Sequence, residues 1–157
     1  MMTSRPLSSE ALRARALALL AGRELSRQEL EQKLQGGEPE LVQALLDQLQ
    51  QCAWQDDKRV AELELRAAQQ RGHGPLRLRQ RLQQRGLAAE LISATLAAWD
   101  MESADPRALL RARFAGVDAH DVRKRARMMR FLQYRGYSQG QAHALVRSFF
   151  LVDDSSS

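Results

Sequence analysis

One apolar pattern recurs three times at a spacing of 50 residues, and it limits the folds open to this chain. Leu41, Val42, Leu45, Leu46 and Leu49 form the first copy. Leu91, Ile92, Thr95, Leu96 and Trp99 form the second, and Gln141, Ala142, Leu145, Val146 and Phe149 the third. Each reads i, i+1, i+4, i+5, i+8, a spacing that gathers side chains on one face of an α-helix and scatters them across both faces of a strand. Self-similarity at such a period is the signature of a repeat architecture. The chain carries 25 Leu and 23 Ala against 6 Val, 1 Ile and 2 Thr. Strands select β-branched residues, so helix is expected throughout and sheet-based enzyme folds are disfavoured.

A second element keeps step with the first. Arg81-Leu82-Gln83-Gln84-Arg85-Gly86-Leu87 matches Phe131-Leu132-Gln133-Tyr134-Arg135-Gly136-Tyr137, again 50 residues on. Lys33-Leu34-Gln35-Gly36-Gly37 is a shortened first copy. In each, a helix runs into Gly, a C-terminal stop. A further helix precedes each element, over Ala11–Ala21, Asp57–Arg71 and Pro106–Ala115. Their apolar faces are Leu12/Ala16/Leu19/Leu20, Val60/Leu63/Ala67 and Leu109/Leu110/Phe114. Ser26-Arg27-Gln28-Glu29 fits a capping box, and Pro39, Pro75 and Pro106 sit where helices begin. Gly72-His73-Gly74 and Gly116–Ala119 read as turns. The chain therefore reads as an all-α protein of three tandem three-helix repeats, residues 11–55, 56–100 and 105–151, nine helices forming an elongated, curved array. Each unit buries little surface alone and completes its core against its neighbour. Residues 1–10 and 152–157 are polar and expected to be flexible tails.

Sites for chemistry are not evident. His73, His120 and His143 fall in different repeats with no His or Cys partner at i+3 or i+4, so no metal is expected. Cys52, the single cysteine, excludes an internal disulfide and reads as a small buried hydrophobe. Asp56-Asp57 precede a helix, where capping and the helix dipole account for them. There is no Gly-rich phosphate loop following a strand. No catalytic residue and no cofactor are assigned. No apolar run approaches the ~20 residues that span a bilayer, and the first nine residues lack an apolar signal core, so a cytoplasmic protein is expected.

Charge is distributed unevenly. Residues 1–57 carry a net −3, residues 58–104 a net +3 and residues 105–157 a net +5. Such asymmetry implies an acidic or polyanionic partner. Five Arg and no acid lie between Arg71 and Arg85; five Arg, one Lys and no acid lie between Arg123 and Arg135. At ~100° per residue, Val122, Met128, Met129 and Leu132 gather toward the core, and Arg123, Arg127, Arg130 and Tyr134 form a stripe on another face. Arg77, Arg81 and Arg85 form a similar stripe in the middle repeat, and Glu29 takes that place in the first. Like charges at i, i+4 repel, so a helix that accepts them without interleaved acids marks a contact surface more readily than a solvated face. Arg binds carboxylates or phosphates bidentately and stacks on planar groups. The candidate partner-binding residues are Arg77, Arg81, Arg85, Arg123, Arg127, Arg130, Tyr134 and Arg135. Tyr134 is either a stacking platform or a seam residue. Tyr137 reads as a seam residue, and Trp54 and Trp99 as core anchors between repeats.

These residues carry a resemblance. The Ala/Leu-rich first helix followed by Ser26-Arg27-Gln28-Glu29-Leu30, then Trp54-Gln55-Asp56-Asp57-Lys58-Arg59-Val60-Ala61, Arg71-Gly72-His73-Gly74-Pro75, Arg81–Gly86 and Arg130–Tyr137, in this order, resembles the RecX family of bacterial recombination regulators. The resemblance spans roughly Ala11 to Phe150. Two features depart from the family pattern: Val60 stands where an aromatic is frequent, and the second helix of the first repeat is short. The resemblance implies a monomeric, non-enzymatic protein that lies in the helical groove of the RecA filament on DNA. It would restrain the recombinase's ATPase, strand exchange and filament growth. A curved repeat array suits such a groove, since each repeat can touch successive protomers. The alternatives are a largely sequence-independent DNA-binding protein, reading phosphates, and a helical scaffold for another acidic protein. The basic helices lack an Asn/Gln-rich base-reading set at a helix N-terminus, which disfavours sequence-specific DNA recognition.

Overall fold

A computed structural model describes residues 5–154, and among these the chain is helical with no strand. The helices are α1 (Ser9–Gly22), α2 (Arg27–Lys33), α3 (Pro39–Gln51), α4 (Asp57–Gln70), α5 (Pro75–Gln84), α6 (Ala89–Ala97), α7 (Met101–Ala104), α8 (Pro106–Phe114), α9 (Val122–Tyr134) and α10 (Gln139–Asp154). Nine of them are the helices of the predicted repeats. The tenth, α7, is one turn outside the repeat pattern. Asp100 caps it by accepting from the Glu102 and Ser103 N–H groups. Asp105 then closes it in a left-handed conformation (φ 44°) and caps α8 through the Ala108 N–H.

Start signals act as the residue types require. Ser26 and Glu29 make a reciprocal capping box on α2: Glu29 N–H donates to Ser26 Oγ at 3.1 Å, and Ser26 N–H to Glu29 Oε1 at 3.0 Å. Pro39 and Pro106 each open a helix, where a missing N–H costs nothing. Asp56 accepts from the Lys58 N–H, a helix-start bond, whereas Asp57 accepts from the Arg27 N–H and Gln55 Nε2 and so ties α4 back to α2. α1 begins at Ser9, inside the stretch 1–10 expected to be a tail; residues 1–4 lie outside the described residues. At the other end α10 continues to Asp154, into the stretch expected to be a tail; residues 155–157 lie outside the described residues.

Two compact units are present: Met1–Leu63 with Leu82–Ile92, and Glu64–Arg81 with Ser93–Ser157. The first has a core of Leu12, Ala16, Leu25, Leu30, Leu34, Val42, Leu45, Leu46 and Leu49. The second is built on Leu110, Phe114, Met128, Leu132, Tyr137, Ala142, Leu145, Val146 and Phe150. The middle repeat contributes buried residues to both, Val60, Ala61, Leu82, Leu87 and Ile92 to the first and Ala68, Leu78 and Thr95 to the second. The repeated ladder is buried at corresponding rungs in all three copies: Val42, Ile92 and Ala142, then Leu45, Thr95 and Leu145.

Five apolar placements differ from expectation. Leu41, the first residue of its ladder, is exposed. Val122 is 77% exposed, because it is the first residue of α9 and precedes the turn that meets the core. Leu63 is exposed, and α4 instead buries Val60, Ala61 and Ala68, a face rotated from the expected one. Cys52 and Trp54 are both exposed, Trp54 by 58%. They lie in the stop signal of α3, where the Trp54 N–H donates to the Leu49 carbonyl and Ala53 adopts φ 59°. The backbone bends there before the ladder's next rung would be reached, so neither side chain is carried inward. Trp99 does anchor: its Nε1 donates to the His73 carbonyl at 3.0 Å and its ring meets Tyr137 edge-on.

Two stability outcomes follow. Leu46→Ala and Leu132→Ala, each removing a fully buried side chain, are expected to cost about 2–5 kcal/mol in denaturant unfolding. Ala53→Gly is expected to raise stability by about 1 kcal/mol, since Gly relieves the left-handed residue.

Candidate partner-binding site

The second helices of the middle and last repeats both end in Arg-Gly, and in both the stop forms a joint to the preceding repeat. At the first joint, Ser26 Oγ donates to the Arg85 carbonyl. The Arg85 guanidinium binds back across it, with Nε on Glu29 Oε1 at 2.9 Å and Nη2 on the Glu24 carbonyl at 2.8 Å. At the second, the Gly74 N–H donates to the Arg135 carbonyl at 2.8 Å and the Leu76 N–H to the Gly136 carbonyl at 3.0 Å. The Arg135 guanidinium reaches the Arg71 carbonyl. Ser26 and Gly74 hold matching places, each one residue before its helix, α2 or α5. The glycine is required at this second joint: Gly136 has φ 100°, and a Cβ there would stand 2.6 Å from the Arg77 nitrogen.

Electrostatics set the protonation states of these joints. Burial pushes the Glu29 carboxyl up. The Ser26 N–H and the Arg85 guanidinium outweigh it and hold the group below its ordinary value. Burial pushes the Tyr137 phenol up to about 12, and its hydroxyl donates to the Gly72 carbonyl at 3.2 Å. Burial, then the charges of Arg77, Arg135 and Arg71, push the His73 imidazole down, so it is neutral near pH 7.

The candidate arginines thereby separate into distinct settings. Arg85 is 8% exposed and committed to the first joint, so it is a structural residue and does not belong to a contact stripe. Glu29, which takes the stripe's place in the first repeat, is its partner. Arg81 pairs with Glu64 at 3.3 Å, an acid on α4 that a reading of α5 alone does not see. Arg77 lies 5.3 Å from the centroid of the Tyr134 ring. Arg135 lies 5.1 Å from the Phe131 centroid in addition to its joint bond. Arg123, Arg127 and Arg130 on α9 are exposed and form no ion pair among the described residues. Tyr134 is 78% exposed at the end of the same face.

Two basic residues outside the predicted set join them. A cleft of about 420 Å³ is lined by Arg113, Phe114, Ala115, Val117, Lys124 and Arg127. Arg113 lies 5.1 Å from the Phe131 centroid and 5.9 Å from that of Phe114. Helical spacing misses it because it projects from α8, not α9. Lys124 lies off the stripe and its ammonium is 3.9 Å from Asp121. Among the described residues no group of three or more His, Cys, Asp or Glu is placed to hold a metal ion. No described helix is long and apolar enough to cross a membrane.

Arg85→Ala is expected to cost about 3 kcal/mol, because it strands the Glu29 charge and the Glu24 carbonyl. Single Gln substitutions of Arg123, Arg127 or Arg130 are expected to fall within about 0.5 kcal/mol. Glu29 has a lowered folded-state pKa, so its contribution is complete above about pH 4.3 and is lost as pH falls. Glu29→Gln is expected to be less stable than wild type at pH 7 and to lose less on acidification, read by urea unfolding across that range.

Comparison with known proteins identifies a family. The sequence profile of the RecX second three-helix domain matches residues 56–96. The regulatory protein RecX of Halorhodospira halophila is 41% identical over 147 residues, covering 91% of this chain and 91% of that protein. The regulatory protein RecX of Xanthomonas axonopodis pv. citri is 40% identical over 136 residues, covering 85% and 84%. The crystal structure of RecX from Lactobacillus salivarius superposes with a TM-score of 0.80 at 18% identity, covering 91% of this chain and 97% of that one. Near-full-length identity at this level, on a common helical fold, places the chain in the RecX family of regulatory proteins.

Proposed function

We propose that this protein regulates by binding rather than by catalysis, and that its partner is the RecA recombinase filament on DNA. The reading is of an inhibitor that occupies the filament's helical groove and restrains ATP hydrolysis, strand exchange and filament growth. The observation that carries the binding surface is the exposed face of α9, where Arg123, Arg127 and Arg130 stand without a carboxylate partner among the described residues. Unpaired arginines spaced along a helix repel one another, and a complementary acidic or phosphate surface removes that cost. The family supports the regulatory role, and the relatives at about 40% identity carry the name of regulatory protein. The second-repeat arginines contribute less than a stripe would, because Arg85 and Arg81 are already engaged.

The experiment is inhibition of RecA-driven strand exchange by the triple variant Arg123→Glu/Arg127→Glu/Arg130→Glu, with circular dichroism and melting to verify the fold. Removing one charged side chain from a desolvated interface costs on the order of 2 kcal/mol. Together the three predict at least a hundred-fold loss of inhibitory potency. A folded triple variant that inhibits at the wild-type concentration would falsify the assignment.

A further inference from the structure

We propose that the cleft between the end of α8 and the first turns of α9 is a phosphate site for a single nucleic-acid strand, with Tyr134 as the stacking residue for one of its bases. The proposal rests on the reading of α9 as the partner-binding face and names a ligand for it. Three cations, Arg113, Lys124 and Arg127, line the cleft, and the carboxylate paired with them is Asp121, 3.9 Å from Lys124. Arg113 is held against the Phe114 and Phe131 rings, so little side-chain freedom is lost when it meets an anion. A phosphodiester oxygen accepts from guanidinium and ammonium donors together.

Tyr134 separates a nucleic-acid strand from an acidic polypeptide. Its ring is 78% exposed and is backed by Arg77, whose guanidinium also donates to the Tyr134 carbonyl. An exposed ring braced by a cation is a platform for a planar base, which stacks on the ring face, whereas a carboxylate meets only the hydroxyl. Tyr134 follows Arg127 by seven residues, two helical turns or about 10.5 Å along the same face, with Arg130 between. A ligand that reaches both ends must be an extended chain carrying anions and planar groups, which describes a single strand.

The test is fluorescence anisotropy with a labelled oligothymidylate and the full chain alone, without recombinase, over a range of salt concentrations. Lys124→Gln/Arg127→Gln is expected to weaken binding at least ten-fold at low salt and to reduce the slope of log affinity against log salt by about 1.4, from about 0.7 per phosphate. Arg107→Gln/Arg111→Gln removes two charges from exposed positions on α8 outside the cleft and is expected to change both by less than half as much. Tyr134→Ala is expected to weaken binding about ten-fold and Tyr134→Phe to retain wild-type affinity. Equal weakening in the two double variants, an unaffected Tyr134→Ala, or equal displacement of the strand by a poly-glutamate of matched charge overturns the proposal. Because the assay omits the recombinase, such an outcome leaves the inhibitory role of α9 standing if the triple Glu variant still fails to inhibit.

Discussion

The carbonyl of an arginine at the end of one helix holds the start of a helix in the repeat before it. Ser26 and Gly74 stand at helix N-termini, where the first backbone donors have no partner within the helix. Arg85 and Arg135 stand at helix C-termini, where the last acceptors have none. At the second joint the Gly74 and Leu76 N–H groups meet the Arg135 and Gly136 carbonyls, which satisfies both kinds of end; at the first the Ser26 hydroxyl donates to the Arg85 carbonyl and satisfies the acceptor. The glycine that follows each arginine adopts a positive φ, 75° at Gly86 and 100° at Gly136, and ends the helix there. The arginine side chain then closes over the joint onto Glu24 or Arg71. A three-helix unit of this size buries too little surface to stand alone, so the joints and the shared cores carry what each unit lacks.

This constraint divides the arginines into two groups. Those next to the joint glycine are consumed by the fold. Arg123, Arg127 and Arg130 are left over, because α9 directs Met128 and Leu132 inward and its opposite face meets no carboxylate among the described residues. The basic residues of the last repeat therefore fall into two settings: Arg135 joins helices, and Arg123, Arg127 and Arg130 are exposed.

Most of the fold was legible in the sequence because its signals are local and repeated. The 50-residue ladder, the prolines at helix starts and the Arg-Gly stops each act within a few residues of where they appear. The misses have a common cause. Arg85 carries the same stripe spacing as Arg81, and only the approach of Glu29 from 56 residues away makes it a buried ion pair. Glu64 neutralises Arg81 from a different helix. Arg113 enters the cleft from α8, which no pattern along α9 can show. Trp54 fails as an anchor because the left-handed turn at Ala53 ends the ladder early. Side-chain periodicity describes one helix at a time, and pairing between helices lies beyond it.

The joint is tested most directly by native-state amide hydrogen exchange at Gly74 and Leu76. Both precede or open α5, where backbone amides ordinarily face water and exchange fast. Here they donate to the Arg135 and Gly136 carbonyls at 2.8 and 3.0 Å. The account predicts protection comparable to that of amides in the middle of α9. Exchange at the rate of an exposed helix N-terminus would contradict it.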